Sequence, residues 1–193
     1  MTAHIPNLLT LFRVALIPVL VVVYFLPLDS REIILAGIFL LAALTDWLDG
    51  FLARRMDAAS ALGTFLDPVA DKLVVSSALV LLVSDTDVLG AALHTVPFAV
   101  AVAIIIGREI VVSALREWMA EIGERGAVAV GRVGKFKTGF QMAAICVLLY
   151  SDPADNPTIF RVGEMLLYLA ALLTMWSMAE YLRAARIHLR DPL

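Results

Sequence analysis

The residues of this sequence best suited to chemistry lie between positions 46 and 71. Asp46-Trp47-Leu48-Asp49-Gly50-Phe51-Leu52-Ala53-Arg54 is followed, after eight residues, by Gly63-Thr64-Phe65-Leu66-Asp67-Pro68-Val69-Ala70-Asp71. Asp46 and Asp49 are spaced i,i+3 and Asp67 and Asp71 i,i+4, so on helices each pair shares one face. Four carboxylates brought together in a low-dielectric place repel one another and take up protons. Hard divalent cations with oxygen ligands resolve that conflict, and two of them roughly 3.5–4 Å apart suit phosphoryl chemistry. Gly50 and Gly63 lack side chains, so a bulky ligand can approach the backbone there. Arg54 is placed to meet a phosphate oxygen. A lone membrane aspartate often only hydrogen-bonds across helices, and a lone glycine often only packs them. Four aspartates at this spacing, interleaved with two glycines and an arginine, argue for a site.

The elements that must position them are read from composition. Of 193 residues, 61% are hydrophobic and 17% charged, against about 45–50% and about 25% in soluble domains. A lipid-exposed helical bundle accounts for so apolar a chain. Six apolar stretches, near 5–26, 33–53, 62–84, 95–119, 133–150 and 160–182, are separated in several places by charged, turn-forming clusters. The expectation is an all-α, polytopic membrane protein of six transmembrane helices and a single domain over 1–193. Residues 2–13 are read as beginning as an interfacial helix, and the first apolar segment as retained, because no basic start and small-residue cleavage site precede it. With both termini on one side, that side receives thirteen of the basic residues and the other only Arg31 and Arg161. The positive-inside rule then makes both termini cytoplasmic. A net charge of -3 with no basic tail excludes nucleic-acid binding. Cys146, alone in an apolar run, excludes a disulfide framework and reads as a small buried hydrophobe.

Three of the spans are short of the about 20 apolar residues that a crossing needs. Only Ile33 to Thr45 is uncharged between Glu32 and Asp46, and only Leu73 to Ser84 between Lys72 and Asp85. Helices two and three cross only if the four aspartates lie within or just at the cytoplasmic part of the bilayer. The stretch from Thr138 to Ser151 is also short and draws Lys135 and Lys137 to the same depth. Charges at membrane depth face a protein-lined or watery cavity, so a polar chamber opening to the cytoplasm follows.

The pattern D-x-x-D-G-x-x-A-R, eight residues, then G-x-x-x-D-x-x-x-D resembles the signature of the CDP-alcohol phosphatidyltransferases at every fixed position: Asp46, Asp49, Gly50, Ala53, Arg54, Gly63, Asp67 and Asp71. Ile5 to Arg13, Arg108 to Trp118, Gly134 to Thr138 and Trp176 to Met178 resemble the bacterial branch of that family whose acceptor is glycerol 3-phosphate. The resemblance implies transfer of the phosphatidyl group from CDP-diacylglycerol to sn-glycerol 3-phosphate, releasing CMP, in a bacterial cytoplasmic membrane. It implies two Mg2+ or Mn2+ ions held by Asp46, Asp49, Asp67 and Asp71, with Asp71 also the general base. Gly50, Ala53, Arg54 and Gly63 would line the CDP site, and the protein would be a homodimer among membrane lipids. Asn7 and Thr10, one turn apart, are further nucleotide contacts. A phosphorylated acceptor needs additional cations, for which Arg108, Lys135 and Lys137 are the candidates. Arg116, Arg125 and Arg132 are read as orientation charges only. The same chemistry with phosphatidylglycerol, inositol phosphate or serine as acceptor is the alternative. An ion-coupled transporter would place its charges near the midplane and repeat its halves, which this sequence does not do.

Overall fold

The computed structural model describes the backbone of residues 4–56, 61–123 and 132–186, and the side chains of most of them. The side chains of Asn7, Trp47, Asp49, Gly50, Ala53, Arg54, Gly63, Asp67, Arg132 and Lys135 lie outside the described residues. The described backbone is all-α, without strands. It forms α1 (His4–Phe25), α2 (Arg31–Met56), α3 (Ala61–Ser84), α4 (Thr86–Ala91), α5 (Thr95–Glu121), α6 (Arg132–Tyr150) and α7 (Pro157–Ala185). The six long helices follow the six apolar stretches. The polar cluster expected to be a turn at residues 84–87 instead starts a short helix: Asp85 caps α4, its Oδ1 accepting from the amides of Asp87 and Val88 at 2.9 and 3.3 Å.

Three helices are long and apolar enough to cross a membrane, within Leu8–Phe25, Thr95–Glu121 and Pro157–Arg183. α2 and α3 have the length, at 26 and 24 residues, or about 39 and 36 Å at 1.5 Å per residue. Their charged ends, with Asp46 and Asp49 on α2 and Asp67, Asp71 and Lys72 on α3, interrupt the apolar run.

α1 packs against α2 and α3, while α7 packs against α5 and most extensively against α6. Leu20, Phe39, Leu79, Phe98, Ile105, Ile145, Leu148, Phe160 and Leu167 fill one continuous core, with Cys146 partly buried against it. Outside, Val96, Ile110, Leu172 and Trp176 are exposed by 62–72%. An apolar exterior of this kind suits lipid rather than water.

Gly163 lets α6 and α7 approach. A Cβ there would lie 2.9 Å from Cγ and Cδ2 of Leu148 and 3.1 Å from Cγ1 of Val147. Gly163→Val should therefore destabilise the bundle by about 1–3 kcal/mol through overpacking, read as a lower unfolding temperature in detergent. Gly37→Ala, where nothing lies within 4 Å of the added carbon, is the control expected to be neutral or better.

The two ends of the bundle differ. At one end the Tyr24 hydroxyl donates to Oδ2 of Asp85 at 2.9 Å, and Arg31 stacks 5.8 Å over the Tyr24 ring. At that end too, fully buried Glu164 accepts from the Leu93 amide (2.9 Å), the Tyr168 hydroxyl (2.8 Å) and Arg161 (2.8 Å). The other end holds the carboxylates and cations singled out above.

Candidate active site

Each helix delivers its charged side chain through its own spacing. On α1, Arg13 is buried on the same face as buried Thr10, and its Nη1 donates to Oδ1 of Asp46 at 2.7 Å. On α2, Thr45 satisfies its own hydroxyl locally, donating to the carbonyls of Leu41 and Ala42 at 2.9 and 2.8 Å, so Asp46 is the polar group that this turn offers outward. On α3, Asp71 lies within electrostatic reach of Asp46, Glu109, Arg13 and Lys72. Its neighbour Lys72 donates to the Ser113 hydroxyl on α5 at 2.6 Å.

α5 and α6 meet at Glu109, which lies in the 108–118 segment but was not among the candidate site residues. Its Oε1 accepts from buried Lys137 and, at 3.1 Å, from Nη1 of Arg108. Nη2 of Arg108 donates to the Ser177 hydroxyl on α7 at 3.1 Å. Two cations this deep are costly to bury alone, and the shared carboxylate compensates both. Tyr181 of α7 stands between two guanidiniums: Arg108 lies 5.7 Å and Arg116 5.2 Å from its ring centre, and Arg116 donates to its hydroxyl at 2.8 Å. Arg116, read from the sequence as an orientation charge only, is thus part of the site.

These side chains enclose a cavity of about 180 Å3 lined by Asp71, Lys72 and Val75 of α3, Arg108, Glu109 and Arg116 of α5, Thr138, Gln141 and Met142 of α6, and Tyr181 of α7. A second cavity of about 240 Å3, also lined by Lys72, Arg108, Glu109 and Arg116, adjoins it. Three wall cations face two carboxylates, so the cavity is net positive and suits a phosphate group. Of the acceptor candidates, Arg108 lines the cavity and Lys137 is held behind Glu109. Lys135 lies outside the described residues, as do the side chains of Asn7, Gly50, Ala53, Arg54 and Gly63.

Asp49 and Asp67 fall on the helical backbone of α2 and α3 beside Asp46 and Asp71. Among the described residues no three His, Cys, Asp or Glu side chains converge as a metal site. The described half of the constellation nevertheless fits a hard cation. Its donors are carboxylate oxygens on two packed helices, and Asp71 lines the polar cavity.

Comparison with known proteins identifies the family. A profile of the family described as CDP-alcohol phosphatidyltransferase matches residues 3–176. The chain is 49% identical over 191 residues to a protein of Salmonella choleraesuis named CDP-diacylglycerol–glycerol-3-phosphate 3-phosphatidyltransferase, covering 99% of this chain and all of the relative. Proteins of the same name from Pectobacterium atrosepticum and Shigella flexneri are each 48% identical, over 100% and 99% of this chain and the whole of each relative. The acidic helices and every cavity-lining residue but Tyr181 fall inside the matched region, and the chain belongs to the CDP-alcohol phosphatidyltransferase family.

Proposed function

We propose that this protein transfers the phosphatidyl group of CDP-diacylglycerol to sn-glycerol 3-phosphate, giving phosphatidylglycerol phosphate and CMP. The observation that carries this reading is the shared cavity: a carboxylate able to accept a proton, Asp71, lines the same wall as Lys72, Arg108 and Arg116. Those cations suit an acceptor that brings its own phosphate, and the reaction is the one in the names of the relatives.

In this reading Asp71 accepts the proton of the acceptor hydroxyl as general base. The hydroxyl oxygen bonds to the phosphorus that carries diacylglycerol. The bond from that phosphorus to the bridging pyrophosphate oxygen breaks, and CMP departs. Lys72, Arg108 and Arg116 orient the acceptor phosphate, with Lys137 and Lys135 adding positive potential. Gly50, Ala53, Arg54 and Gly63, with Asn7 and Thr10, are assigned to the CDP moiety. Two divalent cations held by Asp46, Asp49, Asp67 and Asp71 would neutralise the pyrophosphate and the charge developing on the leaving group. Six helices span a bacterial cytoplasmic membrane, with both termini and the cavity on the cytoplasmic side. The thirteen-to-two distribution of basic residues supports that orientation.

The test is CMP release by the purified protein in detergent. Release should require CDP-diacylglycerol, glycerol 3-phosphate and a divalent cation together, and fall to background with EDTA. Release that is unaffected by chelation would remove the metals. A panel in which serine or inositol phosphate outpaces glycerol 3-phosphate would change the acceptor.

A further inference from the structure

Most polar groups of the cavity wall are already engaged: Lys72 with Ser113, Arg116 with Tyr181, Arg108 with Glu109 and Ser177. Gln141 is different. It lines the cavity, is only 3% exposed, and its Oε1 has no hydrogen-bond partner. A buried amide left in this condition bears its full desolvation cost with nothing in return. Nε of Arg108, on the same wall, is likewise buried without a partner.

The position of Gln141 narrows what it meets. It stands one turn beyond Lys137 on α6 (i,i+4), and from Met142 to Tyr150 the helix carries no charge. Val75 stands one turn beyond Asp71 on α3, and both Val75 and Met142 line the cavity. The inner end of the cavity is therefore apolar apart from one amide and one guanidinium edge. Arg116 lies eight residues along α5 from Arg108, or about 12 Å nearer the helix end. A small anionic polyol whose phosphate faces Lys72 and Arg116 directs its carbon chain inward, past Asp71, toward Gln141. The cavity is roomy enough for several waters, and so for a three-carbon chain. Because the amide offers both an acceptor and donors, it matches a hydroxyl, which is both as well.

We propose that Gln141 is a specificity-determining residue, its side-chain amide hydrogen-bonding the acceptor hydroxyl that is not consumed in the reaction, so that the site selects a vicinal polyol phosphate over a plain alcohol phosphate. This rests on the transfer reaction proposed above. A site that hydrogen-bonds a substrate hydroxyl rejects the analogue lacking it, because the buried polar group is then left unpaired.

The experiment compares glycerol 3-phosphate with 3-hydroxypropyl phosphate, which lacks only the middle hydroxyl, as acceptors for CMP release by the full-length protein in detergent. The native protein should favour glycerol 3-phosphate in kcat/KM on the order of 10- to 100-fold. In Gln141→Leu the ratio should collapse toward one, mainly by loss of activity with glycerol 3-phosphate, while the KM for CDP-diacylglycerol stays within about twofold. A purely structural role would depress both acceptors alike and leave the ratio unchanged, which overturns the proposal. Equal use of the two acceptors by the native protein overturns it without any variant. Failure of the native protein to use glycerol 3-phosphate at all, with another acceptor active, overturns the reaction reading and this inference with it.

Discussion

Asp71→Asn should lower CMP release by about 10²–10⁴-fold, the usual contribution of a positioned general base, while the protein remains folded. The exchange keeps the shape of the side chain and removes its capacity to accept a proton. Asp71 is within electrostatic reach of two other carboxylates, Asp46 and Glu109, so neutralising it relieves repulsion in the metal-free protein. The unfolding temperature in detergent with EDTA should therefore hold or rise as turnover collapses. Activity falling in step with the unfolding temperature would show a folding defect, and near-native turnover would remove Asp71 from the reaction. The corresponding changes at Asp46, Asp49 and Asp67 should also nearly abolish turnover with metal present.

The second large effect is on stability. Lys137 is fully buried and Glu109 mostly so, and they meet directly between α6 and α5. Lys137→Met removes one partner and leaves Glu109 with Arg108 alone, which should cost about 3–5 kcal/mol. Glu109→Gln strands two cations and should cost as much. The double variant Lys137→Met/Glu109→Gln should cost less than the two single losses summed, because only Arg108 then stays uncompensated. A double-mutant cycle on unfolding temperatures measures the coupling, and strict additivity would show that the pair does not interact in the membrane-bound protein. Glu109 also bears on the acceptor site. Substituting Arg108 changes the compensation of Glu109 and Lys137 together with any phosphate contact, so its effect on acceptor KM is interpretable only beside the unfolding data.

The helices were legible in the sequence because apolar runs of this length have few alternatives. The stretches near 33–53, 62–84 and 133–150 differ by at most a few residues from α2, α3 and α6. α4 was missed because its signal, an aspartate among polar residues, is the same for a cap and for a turn. Of the acidic constellation, the described side chains Asp46 and Asp71 lie within electrostatic reach of each other, while those of Asp49 and Asp67 lie outside the described residues. Glu109, Gln141 and Tyr181 were not legible. Their partners or shared cavity lie across helices, 28 residues away for Lys137 with Glu109 and 65 for Arg116 with Tyr181. Which side chains meet then depends on the rotation and depth of packed helices, and one sequence specifies neither. Arg116 shows the same limit: topology alone accounts for a positive charge there, so nothing marked it as a cavity residue.

The carboxylate of Glu164, clasped by an amide, a phenol and a guanidinium at the end remote from the reaction, works as a buckle. Arg161 and Tyr168 hold that carboxylate within α7, and the Leu93 amide, two residues before α5, is the donor that ties it to the chain entering that helix. Tyr24 and Asp85 fasten α1 to the start of α4 in the same way.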